Sequence, residues 1–159
     1  MNGGDEVFEN DPSIEDPDPV WRRVRVDMCT YDHNAGVVRP TSQCFQYSQD
    51  RATGKKHPMS VALGKDITPE QALEGHPPEL KLVGWTAGHV RSLNLGVCPD
   101  PQPEAVAHGL VFTLETDATG KQKTKLSDPV RKALTTSAKW VMPLTPEQVE
   151  VVRQRTTAT

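Results

Sequence analysis

Proline and glycine interrupt this chain so often that it has room only for brief helices and strands. With 14 prolines and 11 glycines among 159 residues, periodic runs keep ending at turn residues, and extended βαβ units find no space. Hydrophobic residues make up 35% and aromatic residues 5%, so the core is modest yet large enough for folding. The length suits one domain. No apolar run approaches the ~20 residues that cross a bilayer.

The runs between the interruptions carry two periods. Val24, Val26 and Met28 alternate with Arg23, Arg25 and Asp27, which predicts a half-buried strand from Trp21. Met59, Val61 and Leu63 predict a second, Leu80 to Thr86 a third, Leu110 to Glu115 a fourth and Lys139 to Met142 a last short one. Thr68-Pro-Glu-Gln71 and Thr145-Pro-Glu-Gln148 each place a capping threonine, a proline at the first helical position and a glutamine that can reach back. Ser127-Asp-Pro129 opens another helix to about Ser137, and Ala87 to Asn94 forms a short one stopped by Gly96. Tyr31 to Pro40 and Gln49 to Pro58 read as loops, with an extended piece at 43–46. Asp117-Ala-Thr-Gly120 reads as a hairpin turn into a strand over Gln122 to Leu126. The expected fold class is α+β: a single compact domain with a mixed or antiparallel sheet and three to four short helices.

Charge divides the chain at residue 20. Residues 1–20 hold seven carboxylates and no Lys or Arg, whereas 21–159 carry 18 basic and 14 acidic side chains. An acidic, Pro-rich, disordered leader over 1–20 is expected ahead of a domain over 21–159, because Val7, Phe8 and Ile14 offer little burial against the entropy of ordering. Phe8 then stands out as an apolar anchor for a protein partner. Lys121, Lys123 and Lys125, continued by Arg131, Lys132 and Lys139, make the predicted hairpin basic, and Arg22, Arg23 and Arg25 add to it. Phosphate contacts follow if they share a face, so nucleic acid is a second class of partner.

Potential ligands and nucleophiles are densest from His76 to His108, which holds three of the five histidines and Cys98. His89, Cys98 and His108 are the residue types of a zinc site, but their spacing matches no usual ligand pair, and no metal or cofactor is expected. Cys98 beside His89 or His108 is the candidate nucleophile. Cys29, Cys44 and Cys98 are odd in number without a Cys-x-x-Cys pair, which predicts reduced thiols in a cytoplasmic protein. No basic-then-apolar signal marks the N-terminus.

Arg23, Ser60 and Glu115 on three successive strands resemble the nicotinamide-binding cleft of ADP-ribosyltransferases. That resemblance implies an arginine on cofactor phosphate or ribose, a serine supporting the ribose and a glutamate polarising the scissile bond. A second resemblance rests on the order of Trp21-Arg-Arg23, Ser42-Gln-Cys-Phe45, Met59-Ser-Val61, Thr86-Ala-Gly88, Cys98-Pro-Asp-Pro101 and Ala107-His-Gly109. In this the chain is similar to a family of small, uncharacterised bacterial proteins. It implies a bacterial cytosolic origin and no activity. The expected function is that of a non-catalytic interaction or accessory protein of a bacterial multi-protein system, engaging a protein partner. The alternative is a nucleotide- or NAD-directed transferase using Arg23, Ser60 and Glu115.

Overall fold

The computed structural model describes residues 6–157. Its centre is an antiparallel sheet of six strands: β1 (Pro19–Arg25), β6 (Met59–Leu63), β7 (Leu80–Thr86), β8 (Leu95–Pro99), β9 (His108–Thr113) and β10 (Lys139–Met142). They lie in the order β10-β7-β1-β6-β9-β8. Two hairpins stand outside it, β2 (Cys29–Asp32) with β3 (Val37–Pro40) and β4 (Ser48–Gln49) with β5 (Lys56–His57). Four helices complete the domain: α1 (Pro69–Leu73), α2 (Ala87–Ser92), α3 (Asp128–Ser137) and α4 (Pro146–Thr157). The fold is α+β. No helix among the described residues is long and apolar enough to cross a membrane.

The sheet is apolar on both faces because successive side chains of a strand point to opposite sides. Val20 and Val24 of β1 join Val61, Val83, Trp85, Val97 and Val111 in the main core, closed by Phe45, Val90 and Leu134. On the other face Trp21, Ala62 and Leu82 pack against Ala72 of α1. A third cluster lies under α4, where Val152 meets Val26, Cys29 and Val38.

Both capping threonines act as expected. The Thr68 hydroxyl accepts from the Gln71 amide while the Gln71 side chain accepts from the Thr68 amide, and Thr145 and Gln148 repeat the exchange. Other expectations are corrected. β1 begins at Pro19 and ends at Arg25, after which a 3-10 turn occupies Val26–Met28. Its ladder partner β7 starts at Leu80, just after Pro77 and Pro78, and proline cannot donate to an extended ladder. Tyr31 to Pro40 is no loop, since Cys29 pairs with Pro40 and Asp32 with Val37. The piece at 43–46 holds a 3-10 turn, Ser42–Cys44, instead of an extended segment. Asn94, with φ of 61°, stops α2 in place of Gly96, which belongs to β8. Gln122 to Leu126 forms no strand, only an isolated bridge between Thr116 and Gln122.

The acidic segment also departs from expectation. The disorder expected of residues 1–5 lies outside the described residues, whereas residues 6–18 form a strap on the body. The Asp11 amide donates to Val97 O at 2.9 Å and the Asn10 side-chain oxygen accepts from Val97 N at 3.1 Å, so the strap covers the free edge of β8. Ile14 is 1% exposed, inside the main core. Arg91 of α2 donates to Asn10 Oδ1, Asp16 Oδ1 and the carbonyls of Asp11 and Ile14. The first amides of α2 find acceptors in the same strap, Ala87 in Asp18 O and Gly88 in Asp16 O, where a helix has no partners of its own. Glycine makes the approach possible at two places. A Cβ on Gly88 would stand 2.9 Å from Asp16 Cβ, and one on Gly96 would run into the Phe112 ring. The strap is ordered by one well-placed isoleucine and backbone hydrogen bonds, neither of which a count of apolar residues registers.

Candidate functional site

Of the transferase-like set, Arg23 and Ser60 lie on adjacent strands, and Glu115 stands away from both. Arg23 points to the α1 side of the sheet, where Nε donates to Ala72 O at 2.8 Å. Ser60 lies on the neighbouring strand β6, opposite Leu110 of β9. Glu115 stands two residues beyond β9, five residues on from Leu110, which at strand spacing is about 16 Å away. Its amide donates to Thr113 Oγ1 and its carboxylate faces Lys123 at 3.8 Å. Neither cleft lined by Arg23 includes Ser60 or Glu115.

The zinc-type residues separate as well. His89 sits on α2, Cys98 on β8 and His108 at the start of β9. Among the described residues no group of three or more His, Cys, Asp or Glu side chains is arranged to hold a metal. Cys98 fails as a nucleophile for an electrostatic reason. Burial, helped by Asp100 and Asp11, pushes its thiol up to about 11, so the reactive thiolate is scarce near neutrality.

Two other places gather functional groups. The first is a cleft of about 460 Å³ between α1 and the loop 100–107. Arg23, His76 and His108 line it, so both ends of the histidine-bearing stretch meet there while its middle stays away. Each wall is held by named bonds. Arg23 ties down the end of α1, and the His76 amide caps Leu73 O at 3.0 Å. The loop is closed at its base by Asp100 N to His108 O at 2.8 Å and pinned to β6 by Leu63 N to Ala107 O at 2.9 Å. His108 Nδ1 lies 3.0 Å from Asp100 O and 3.1 Å from its carboxylate. With acceptors alone around it, Nδ1 carries the proton, and Nε2 is left without a partner among the described residues. Partial burial and the nearby Arg23 charge push His76 below its ordinary value.

The second place is a basic groove. Clefts of about 580 and 430 Å³ share Tyr47 and Lys56 and run from the strap to the start of α3. Lys55, Lys56 and Lys123 line one part, Lys56, Lys125 and Arg131 the other. Lys121 borders a third recess of about 510 Å³ with Val7 and Leu114, which are 75% and 40% exposed. Lys121, Lys123 and Lys125 therefore border one surface, joined by Lys55 and Lys56, whereas Lys132 of α3 and Lys139 of β10 line none of these clefts.

The β1 arginines line a recess that adjoins this surface at Gln46 and Tyr47, but each is engaged elsewhere. Arg22 donates to Cys44 O and Ser60 O, Arg23 serves the other cleft, and Arg25 pairs with Asp27. Burial lowers Arg22 to about 10, which leaves it cationic. Phe8 is not a free anchor either. Its ring packs on Phe112 with centroids 5.7 Å apart, and the Gln122 side-chain amide both donates to Phe8 O and accepts from Phe8 N. Glu6 ends the run 2.7 Å from Lys55 Nζ, whose charge and hydrogen bond hold its carboxyl below the usual range.

Comparison with protein-family models, with curated proteins and with solved structures returned no match for this chain.

Proposed function

We propose that this is a non-catalytic interaction protein of the bacterial cytoplasm, an accessory subunit that takes an acidic segment of a protein partner into the groove between residues 47–56 and 121–131. The observation that carries this reading is the protein's own strap. Glu6 to Phe8 is held at the groove mouth as a peptide would be, by Lys55 on the carboxylate and by the Gln122 amide on both backbone groups of Phe8. Such side-chain pairing to backbone is indifferent to sequence, whereas the lysines select charge. The groove continues past Glu6 along Lys56, Lys125 and Arg131, so the strap occupies one end only. Tyr47 stiffens the middle, its hydroxyl accepting from the Thr113 amide at 3.0 Å.

The test uses a protein shortened by residues 1–9, which keeps the Asn10 to Asp18 contacts, and a labelled peptide of residues 5–11. Binding is expected by fluorescence anisotropy, weakening with salt. The pair Lys56→Glu and Lys123→Glu should reduce affinity by about tenfold or more. A peptide that fails to bind, or single-stranded DNA that binds more tightly than the peptide, overturns the reading.

A further inference from the structure

The cleft between α1 and the loop 100–107 lies on the opposite wall of the sheet from the main core and plays no part in the peptide groove. We propose that it is a recognition site for a small phosphomonoester, with Arg23 and His108 holding the phosphoryl group. Arg23 spends only Nε on the protein. Its Nη1 and Nη2 make no hydrogen bond to the described residues, and none of their carboxylates lies within ion-pair distance of it. A half-buried guanidinium with its end fork open is a ready partner for two oxygens of one anion.

The choice of phosphate over carboxylate follows from His108. Asp100 fixes the proton on Nδ1, so Nε2 is the ring atom left for a ligand. Phosphate satisfies Nε2 in both states: an ionised oxygen accepts from the imidazolium, and the P–OH of the monoanion donates to the neutral ring. A carboxylate at neutral pH offers only the first. His76, at the rim of the same cleft, provides a third contact.

The remaining lining sets the rest of the ligand. About 460 Å³ exceeds what phosphate alone needs, so an organic part is accommodated. Glu74 and Glu104 stand at the mouth, which excludes a polyanion such as nucleic acid and favours an amine or hydroxyl on that part. Ile67 and the 76% exposed Val106 supply an apolar flank. The lining holds no hydroxyl, thiol or primary amine, and the role we assign is recognition.

Phosphoethanolamine, which joins a phosphate to an amine, is the probe. Titrated into the full chain up to tens of millimolar, it should give saturable shifts of the His76 and His108 ring protons by NMR and bind more tightly than inorganic phosphate. Acetate and succinate should bind far more weakly. Arg23→Gln and, separately, His108→Gln should each weaken binding by about tenfold or more; two variants guard against one failing to fold. Lys55→Gln and Lys123→Gln, in the peptide groove, should leave it unchanged, so this site and the groove fail or succeed separately. Absence of saturable shifts, equal binding of succinate, or loss of binding on the groove substitutions overturns the proposal.

Discussion

At the scale of single residues, neighbouring side chains in this protein have unrelated jobs, and strand parity decides which. Arg22 faces the main core and latches Cys44 O and Ser60 O, whereas Arg23 faces α1 and keeps two nitrogens for the cleft. That alternation was readable from the sequence; what each arginine would meet was not, because the partners come from residues 38 and 49 positions away. Arg91 is the most connected case, bridging four groups of the strap. Arg91→Met keeps the stem but removes all four contacts and should cost about 2–4 kcal/mol, from net values of about 1 per hydrogen bond. Chemical denaturation measures the loss, and cleavage between residues 6 and 18 should appear at the same time. The cysteines give a pH prediction. Burial pushes Cys29 up to about 12 and Cys98 to about 11, above the roughly 8.5 of an unfolded thiol. Protons therefore stay on the native thiols while those of the unfolded chain ionise. The contribution to stability is complete below about 8.5 and is lost as pH climbs toward the folded values. Urea midpoints should be flat in this respect up to pH about 8.5 and then fall, and Cys29→Ala with Cys98→Ala should flatten the alkaline limb; an unchanged limb in that variant sinks the assignment.

At the scale of elements, the sequence is clearest where a local hydrogen-bond exchange defines a boundary. Thr68 and Thr145 mark the starts of α1 and α4 because their bonds span only three residues. Thr145→Ala should lower stability by about 1 kcal/mol and should loosen the α4 side of the third cluster first, visible as faster amide exchange around Val152. Elements made by distant pairing were harder to see. β8 carries Gly96 and Pro99 and has the look of a turn, yet Gly96 is there because the Phe112 ring and Asn10 fill the space a side chain would take. Asn34, Gly36 and Pro40 suggested a loop, yet Asp32 Oδ1 accepts from the Asn34 and Ala35 amides and closes a two-stranded hairpin. In the other direction, the alternation from Gln122 to Leu126 finds no strand to pair with. Trp140 of β10 is half-buried between two clusters, with Nε1 donating to Val38 O at 3.0 Å. Trp140→Ala should cost about 3–5 kcal/mol, and Trp140→Phe distinctly less, since the packing survives and one bond is lost; equal costs would mean that the hydrogen bond alone matters.

At the scale of the whole molecule, two kinds of force hold the strap, and salt separates them. Long-range attraction between the acidic segment and the basic remainder is screened beyond about 8–10 Å at ordinary salt, and by itself would leave the segment loose. Glu6 on Lys55 is of this type: both side chains are more than half exposed, a situation in which an ion pair contributes about 0–1 kcal/mol. Further along, Asp16 pairs with Arg91 and Asp18 with Lys65, but contacts of another character are added. Ile14 is fully buried, Asp11 and Asn10 bond the edge of β8, and Asp16 and Asp18 accept from the first amides of α2. Those terms are apolar burial and short hydrogen bonds out of bulk solvent, which salt does not weaken. Raising salt from about 0.05 to about 1 M, where the screening length falls to about 3 Å, should therefore release only the front of the strap. Amide exchange is the measurement. The Phe8 amide, held by the half-buried Gln122 next to the screened pair, should exchange faster at high salt, while those of Asp11, Ala87 and Gly88 keep their protection. Ile14→Ala should have the opposite profile, exposing Ala87 and Gly88 at every salt concentration. If high salt deprotects Asp11 and Gly88 as strongly as Phe8, charge is what seats the strap, and its place as part of the fold is wrong.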